Sequence, residues 1–478
     1  MEVVMNAVDA VLAFVYNNIL SIVMIILLIA AGAFMSYHTR FLQFRKFGYT
    51  MKNTVGSLFS KNQHSKDAGS VSPFQAVSTA LAGTIGTGSI AGVATALVAG
   101  GPGAVFWMWV SALLGMVTKY CEIVLSLKYR EKNEKGAWVG GPMYYIKNGL
   151  GIKWLAVLFA IFAIIACFGT GNGTQSNSIS LVLDQTFKVP VWVTGIVLTA
   201  IVALVILGGV KRIASVNEKM VPAMAVFFIL ATIISLCCNI SEVPTAFARI
   251  FSEAFNFQAA FGGVMGYGVF AAMRFGVGRG VFTNEAGLGS APIAHAASST
   301  KDPVKQGLWG MFEVFITTIV ICTLSALIVL TSEIYGISSG EYLATGSAAV
   351  DSSALSSVAF GEALPYVGEI VITVATVFFS LSTILGWAYY GEVCIGFLCK
   401  KNPERAIFIY RIAYVIFVFV GAVLNAGLIW RIADISNVLM AVPNLIGIIG
   451  LYKMVVNATK EHFENKKLES ANESQEEA

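Results

Sequence analysis

The sequence predicts an all-α polytopic membrane protein with eleven transmembrane helices. Of its 478 residues, 56% are hydrophobic and 12% are charged, and the mean hydropathy is +0.75. Soluble domains contain roughly a quarter charged residues, so this composition excludes an ordinary soluble protein. Apolar stretches of about 20 residues are long enough to cross a bilayer. The predicted spans are 10–35, 72–100, 103–127, 154–183, 190–209, 213–238, 259–298, 306–332, 366–398, 406–428 and 435–456.

The distribution of Lys and Arg predicts the orientation of these spans. Basic residues are retained on the cytoplasmic side of a membrane, and here they are concentrated in alternate loops. These loops are 40–66, 128–153, 211–212, 301–305 and 400–405, together with the tail from residue 453. We therefore expect a cell-membrane protein with its N-terminus outside and its C-terminus in the cytoplasm. The net charge of +4 reflects these loops, so a nucleic-acid partner is not indicated.

The spans also predict an internal repeat within a transmembrane domain of residues 1–456. When the helix at 10–35 is set aside as an extra N-terminal helix, five spans remain in a first half (72–238) and five in a second (259–456). An odd number of spans per half gives the halves opposite orientations, which is the requirement for a five-plus-five inverted repeat. The polar, Glu-rich tail at 457–478 is predicted to be disordered.

Glycines interrupt the first helix of the first half at Gly83–Gly88. Unwound backbone at membrane depth persists only where protein or a water-filled cavity surrounds it, and paired broken helices indicate the binding site of a secondary transporter. The free N–H groups near Gly88 would hold a carboxylate, and the free carbonyls near Ile85 would hold a cation. Thr84 and Thr87 add hydroxyls. The competing interpretation is close helix packing through a GxxxG motif.

A second break is predicted at Gly276–Gly280, in the first helix of the second half. The carbonyl end of the preceding half-helix, which contains Ala272, Met273 and Phe275, would suit an ammonium group. Together the two breaks would hold the two charged ends of an amino acid. Large side chains would crowd the pocket and restrict the substrate to a small side chain; they are Phe168, Met273, Phe275 and Trp387.

Two charged residues inside the spans suggest a gate. A charge at bilayer depth is costly and has to be paired or hydrated. Glu122 is a candidate partner for Arg279, and this pair could close the path to the cytoplasm. A static structural ion pair is the alternative.

Polar side chains in two further spans complete the predicted site. Phe168, Asn172 and Gln175 are spaced by four and three residues, so we expect them on one helix face. The amides of Asn172 and Gln175 could bind substrate, or they could join helices. Ser382 and Thr383 offer hydroxyls that suit sodium, although hydroxyls that bond to their own helix are an alternative.

Three motifs together resemble the alanine or glycine:cation symporter family, which belongs to the amino acid, polyamine and organocation superfamily. They are residues 80–109, residues 140–145 (GGPMYY) and residues 278–287 (GRGVFTNEAG). The resemblance covers most of the chain. It implies a LeuT-type fold and uptake of alanine and glycine coupled to sodium, or sometimes to protons.

The resemblance also implies roles for particular residues. Gly86, Thr87 and Gly88 would form the substrate-binding break. The carbonyls of Ala82 and Ile85, with Ser382 and Thr383, would form a sodium site. Ser89 is a departure, because many relatives of this fold have an asparagine there that serves a second ion site.

We therefore expect a sodium-coupled symporter of small neutral amino acids that works by alternating access, with sodium as its coupling ion. The alternatives are a proton-coupled permease of the same fold, a channel, and an amino acid sensor that does not transport. An enzyme is not expected, because the sequence contains no HExxH motif, P-loop or nucleophile elbow.

Overall fold

The structure is a computed structural model that describes residues 14, 19–58, 71–255, 266–332, 352–424 and 426–476. The predicted extra helix corresponds to α1 (Ser21–His38), and most of its predicted beginning lies outside the described residues. Three short helices follow it: α2 (Leu42–Arg45), α3 (Phe47–Asn53) and α4 (Val55–Leu58).

The predicted first half contains eight described helices, in the order α5 (Pro73–Thr84), α6 (Ala91–Gly100), α7 (Gly103–Lys128), α8 (Pro142–Tyr145), α9 (Lys153–Phe168), α10 (Thr174–Phe187), α11 (Val191–Ile206) and α12 (Val210–Cys238). A π-helical segment at Ile146–Leu150 extends α8, and another at Gly169–Gly173 joins α9 to α10. A small antiparallel sheet of β1 (Glu131–Lys132) and β2 (Trp138–Val139) lies between α7 and α8.

A 3₁₀ turn at Ile240–Glu242 and α13 (Val243–Ala254) lead towards the predicted second half. Its described helices are α14 (Gly266–Asn284), α15 (Ala291–Ala296), α16 (Pro303–Val314), α17 (Thr323–Leu330), α18 (Ser352–Ala363), α19 (Gly368–Leu398), α20 (Pro403–Val423) and α21 (Ala426–Gly450). A π-helical segment at Phe315–Cys322 joins α16 to α17.

The chain is a helical polytopic membrane protein. Within the described residues, eight helices are long and apolar enough to cross a membrane. In this count α9 and α10 form one continuous helix through their π-helical segment, and so do α16 and α17. Helices α6 and α11 are shorter apolar helices. The last predicted span is misplaced, because α21 begins at Ala426 and not near residue 435. Charged and polar residues between 431 and 437 lower the hydropathy of this stretch, but Asp434, Ser436 and Asn437 are buried in the protein interior.

Close packing between α7 and α14 brings the predicted halves together. In its most apolar 18-residue window, 83% of α7 is buried, so this helix lies inside the bundle. A Cβ at Gly276 would overlap the carbonyl oxygen of Ala104, and one at Gly280 would lie 2.5 Å from the Ser111 hydroxyl. Small residues allow helix backbones to approach closely in membranes. These two glycines therefore serve helix packing.

The C-terminal tail is helical, so the prediction that residues 457–478 are disordered is wrong for its described part. Helix α22 runs from Tyr452 to Glu476. The Thr459 hydroxyl lies 2.7 Å from the Tyr120 hydroxyl, and His462 Nδ1 lies 3.0 Å from Asp302 Oδ2. Ala458 and Phe463 also pack against the hydrophobic core of the bundle. The composition of the tail alone does not reveal these contacts.

Candidate functional site

The first broken helix is interrupted where the sequence predicts it. Helix α5 ends at Thr84, Ile85 and Gly86 leave helical geometry, and Thr87–Ser89 form a 3₁₀ turn before α6 begins at Ala91. Gly86 is extended, with φ −118° and ψ −163°. The interruption exposes the carbonyl end of α5 and the N–H end of α6 at one level of the bundle.

Gln175 lies against this interruption. Its Oε1 accepts a hydrogen bond of 3.1 Å from the backbone N–H of Thr87. Its Nε2 donates to the carbonyl oxygen of Thr170 at 3.1 Å, which fixes the orientation of the amide. The Thr87 hydroxyl donates to the Ser178 hydroxyl at 3.1 Å. Helix α10 therefore supports the unwound segment through two side chains.

Four oxygen atoms converge between α5 and α19. Thr383 Oγ1 lies 2.9 Å from the carbonyl oxygen of Ala82 and 3.5 Å from that of Ile85. Ser382 Oγ lies 3.4 Å from the Ala82 oxygen. The helices approach this closely because Gly386 faces α5: a Cβ there would lie 2.9 Å from the backbone nitrogen of Gly83. The structure thus places together the four residues that the resemblance assigns to sodium.

The alternative hydrogen bonds of these hydroxyls are also present. Ser382 and Thr383 lie 2.8 and 3.0 Å from the carbonyl oxygen of Phe379 on their own helix. A hydroxyl has one hydrogen and two acceptor lone pairs. When each hydrogen points to Phe379, the lone pairs remain available to a cation between the helices, so the two interpretations are compatible.

The second broken helix is interrupted later than predicted, and the prediction of a break at Gly276–Gly280 is wrong. Helix α14 continues to Asn284, and residues 285–290 separate it from α15. The backbone reverses there through positive φ angles of 55° at Glu285, 90° at Gly287 and 80° at Gly289. Glycine adopts such angles readily, so the GLG sequence that follows Ala286 was the relevant signal.

Because the helix ends later than predicted, four residues that were predicted to contact the substrate do not lie at the interruption. Ala272, Met273, Phe275 and Gly276 lie in the intact helix, and at 1.5 Å per residue Gly276 is about 12 Å from its end. Phe282 and Thr283 lie against the first break instead. A Cβ at Gly88 would lie 2.9 Å from the Phe282 ring and 3.1 Å from the Thr283 hydroxyl.

Phe168 and Asn172 do not share a face with Gln175. The Phe168 ring packs on α20, with its centroid 5.3 Å from that of Phe417. The Asn172 amide donates to the carbonyl oxygen of Tyr414, which also lies on α20, at 2.8 Å. The π-helical segment at Gly169–Gly173 inserts backbone into the turn and rotates the residues that follow it. The regular spacing of the sequence therefore misassigns this face.

Trp387 is fully buried and joins the second interruption to α19. Its indole N–H donates to Glu285 Oε1 at 2.8 Å, and the Ser290 hydroxyl donates to Glu285 Oε2 at 2.5 Å. A Cβ at Gly171 would overlap the Trp387 side chain. This tryptophan therefore holds the unwound residues 285–290 in place through Glu285.

Arg279 pairs with a different carboxylate from the predicted one. Its guanidinium donates to both oxygens of Asp434, at 3.2 and 3.0 Å, and lies 5.2 Å from the centre of the Trp430 ring. Glu122 instead accepts a hydrogen bond of 2.5 Å from the Asn444 amide. Asp434 and Asn444 are ten residues apart on α21, about 15 Å along a helix. The predicted Glu122–Arg279 gate is therefore wrong.

A buried charged cluster lies at the interruptions and is not among the residues predicted from the sequence. Lys119 Nζ lies 3.0 Å from Glu313 Oε2, and Glu313 Oε1 lies 2.6 Å from His295 Nε2. All three side chains are completely buried. Charged residues within two predicted spans were the signal that could have found them.

The site is closed to solvent on all sides. Exposure is at most 2% for its polar residues, which are Thr84, Thr87, Ser89, Gln175, Ser382 and Thr383. An amino acid or ion can reach them only after neighbouring helices move.

Comparisons with known proteins find transporters over almost the whole chain. A profile described as "Sodium:alanine symporter family" matches residues 3–477. The chain is 45% identical over 453 residues to "Sodium/alanine symporter AgcS" of Methanococcus maripaludis, covering 94% of this chain and 96% of the relative. It is 37% identical to "Probable sodium/glutamine symporter GlnT" of Bacillus subtilis, covering 94% and 90%.

Solved structures extend the likeness to the fold. The chain is similar to a Na⁺-coupled sialic acid symporter in a substrate-bound outward-open state, with a TM-score of 0.53 and 12% sequence identity. The match covers 92% of this chain and 87% of the other.

Proposed function

The chain belongs to the sodium:alanine symporter family, and we propose that it takes up small neutral amino acids, alanine and glycine, together with sodium. The observation that carries this proposal is the convergence of four oxygen atoms from Ala82, Ile85, Ser382 and Thr383 beside the first interruption. Uncharged oxygen ligands suit a hard cation and do not suit a transition metal.

The amino acid binds next to this ion in the proposed mechanism. Its carboxylate lies at the N–H end of α6, near Gly86, Thr87 and Gly88, where the helix dipole favours an anion. Its ammonium group faces the last turn of α14 at Phe282 and Thr283, which lie against the first interruption. Gln175 orients the unwound backbone, because it already accepts the Thr87 N–H. Sodium beside the carboxylate neutralises its charge, which links the binding of the two.

Alternating access moves both from the outside to the cytoplasm. We propose the LeuT-type arrangement for this movement, with eleven transmembrane helices, a five-plus-five inverted repeat and the N-terminus outside. In this orientation Arg279 and Asp434 lie on the outer side of the interruptions. Their side chains are 12% and 9% exposed, whereas the site below them is sealed. The pair is therefore placed to act as an outer gate.

The gate leads to a prediction for Arg279→Gln and Asp434→Asn. Each change removes one charge of the pair and keeps a polar side chain, and we expect each to reduce alanine uptake about tenfold, or about 1.4 kcal/mol. The double variant should be little worse than either one, because the members of a pair are not additive. Initial uptake rates measure the effect.

Arg249→Ala is the control for this test. It removes an ion pair with Glu253 on the surface of α13, where the side chains are 23% and 37% exposed. Exposed pairs are worth about 1 kcal/mol or less, so uptake should be unchanged. Additive losses from Arg279→Gln and Asp434→Asn would contradict a shared gate.

A second prediction concerns substrate size. We expect Phe282→Ala to admit valine and leucine, because this ring lies against Gly88 at the first interruption and its removal enlarges the space there. Phe275→Ala should leave the substrate range unchanged, since Phe275 lies in the intact part of α14. Competition of unlabelled amino acids with labelled alanine measures the range. The reverse pattern would place the pocket at Phe275.

Proton coupling is the second candidate, and the buried Lys119–Glu313–His295 cluster favours it. Such groups could carry a proton past the interruptions. The decisive measurement is uptake of radiolabelled alanine into proteoliposomes under an inward sodium gradient, an equal potassium gradient, or a proton gradient without sodium. Accumulation with sodium alone supports the proposal. Accumulation driven by protons without sodium would contradict sodium coupling and support a proton-coupled permease.

The same assay separates the remaining alternatives. Conductance without saturable counterflow would indicate a channel, and binding without uptake would indicate a sensor. Glutamine serves as a further competitor, because one relative is described as a probable sodium/glutamine symporter. Strong competition by glutamine and none by glycine would overturn the small-substrate assignment.

A further inference from the structure

Lys119 lies where both broken helices end. Its ammonium group donates to the Asn284 carbonyl oxygen at 2.9 Å and to the Thr84 hydroxyl at 3.2 Å. Thr84 is the last residue of α5, and Asn284 is the last residue of α14. The third contact is Glu313 Oε2 at 3.0 Å. One side chain of α7 thus connects the two interruptions.

The three partners of Lys119 are oxygen atoms of kinds that also bind metal cations: a backbone carbonyl, a hydroxyl and a carboxylate. The carbonyl end of α14, which carries partial negative charge, reaches this point through Asn284. Together with the Glu313 carboxylate it favours a cation here. The lysine ammonium supplies two hydrogen bonds, to Asn284 and Thr84, and its positive charge pairs with the Glu313 carboxylate. The Lys119 ammonium group thus occupies a position that a metal cation could otherwise occupy.

The side chains around Lys119 fix the position of its partner Glu313. Lys119 and Glu313 are both completely buried, and the other Glu313 oxygen is held by His295 at 2.6 Å. The Gln306 amide lies 2.8 Å from the remaining His295 nitrogen, so the imidazole is fixed at both ends. Separating a buried ion pair is strongly unfavourable. The ion pair with Glu313 therefore opposes any movement of Lys119 away from this position.

We propose that Lys119 is a built-in cation that takes the place of a second transported ion, so that one sodium ion accompanies each amino acid. This inference rests on the proposed sodium-coupled function. Sodium binds at Ala82, Ile85, Ser382 and Thr383, on the side of the first interruption that faces α19. Lys119 occupies the other side, which faces α14 and α16. Only the first of these charges is released into the cytoplasm.

The stoichiometry of the unaltered protein tests this inference directly. Reversal potentials are measured in proteoliposomes with a fixed sodium gradient and varied alanine gradients. With one sodium ion per alanine, a tenfold alanine gradient shifts the reversal potential by about 59 mV, and with two ions by about 30 mV. We expect about 59 mV. A value near 30 mV with sodium-dependent uptake would overturn the inference and leave the proposed function intact, whereas sodium-independent uptake would overturn the function itself.

Lys119→Ala provides an independent test. The change removes the ammonium group and leaves space beside Glu313, Asn284 and Thr84, where a sodium ion can bind. Bound ²²Na⁺ per protein, measured at equilibrium, should rise from one to two, and this readout does not require transport. Lys119→Met fills the same space without charge, and its bound sodium should stay at one with uptake strongly reduced.

Lys219→Ala is the matched control, because Lys219 is an exposed residue of α12. It should bind one sodium ion and transport normally. Thermal unfolding in detergent identifies any variant that does not fold, and the reversal potential of the unaltered protein then decides. A folded Lys119→Ala protein that binds one sodium ion would overturn the inference, because Lys119 would then only support the helix ends.

Discussion

Gly86→Ala is expected to reduce alanine uptake at least a hundredfold without unfolding the protein. The added Cβ would lie 2.6 Å from Thr383 Oγ1 and 3.1 Å from Gln175 Oε1. Both atoms belong to the proposed site, so one methyl group displaces a sodium ligand and the side chain that supports the unwound backbone. Backbone strain is not the cause, because an alanine can adopt a φ of −118°. Uptake and thermal unfolding are measured on the same preparation.

Gly278→Ala is the matched control for this substitution. Gly278 lies in the second predicted break, but it is inside α14 and a Cβ there would contact nothing within 4 Å. Alanine is favoured over glycine within a helix by about 1 kcal/mol. Normal uptake and equal or higher thermal stability are expected. If Gly278→Ala abolished uptake and Gly86→Ala did not, the functional break would be the one at Gly276–Gly280.

Thr383→Ala is expected to raise the sodium concentration for half-maximal uptake at least tenfold, which corresponds to about 1.4 kcal/mol of binding free energy. Thr383 Oγ1 is the atom that approaches both the Ala82 and the Ile85 carbonyl oxygens, at 2.9 and 3.5 Å. Its removal leaves a cation between the helices with one ligand fewer. Alanine affinity at saturating sodium should change little. Sodium titration of the initial uptake rate measures this effect.

Ser380→Ala tests whether the effect is specific. Ser380 is a buried hydroxyl on the same helix, but it does not belong to the four converging oxygens. Its loss should leave the sodium dependence unchanged. Equal shifts in Ser380→Ala and Thr383→Ala would assign the effect to a general disturbance of α19 and would count against a sodium site at Thr383.

Local sequence patterns predicted the first interruption correctly because its cause is local. Several glycines within six residues lower the cost of leaving the helix, and the chain leaves it between Thr84 and Ala91. The second interruption shows the limit of this reasoning. Gly276 and Gly280 look like a similar signal, yet they pack against Ala104 and Ser111 on α7. The sequence does not distinguish a glycine that permits close helix packing from one that permits a turn.

Side-chain partners were harder to predict than helices. Arg279 and Glu122 are both charges within predicted spans, but each finds its partner on α21, at Asp434 and Asn444. Their depth in the bundle decides the pairing, and it depends on where α21 begins. The face of Gln175 similarly depends on the π-helical segment that precedes it. An error of a few residues along a helix changes which groups can meet.

The sequence by itself determined that this is a helical membrane protein and where most of its spans lie, because hydropathy and glycine content act over short stretches of chain. Its motifs also placed it among sodium-coupled symporters. Only the tertiary structure decided which atoms meet. The approach of α19 to α5 at Gly386 and the position of Lys119 between Thr84 and Asn284 join segments far apart in the chain. Such contacts follow from how whole helices pack, and a single sequence carries no direct record of that.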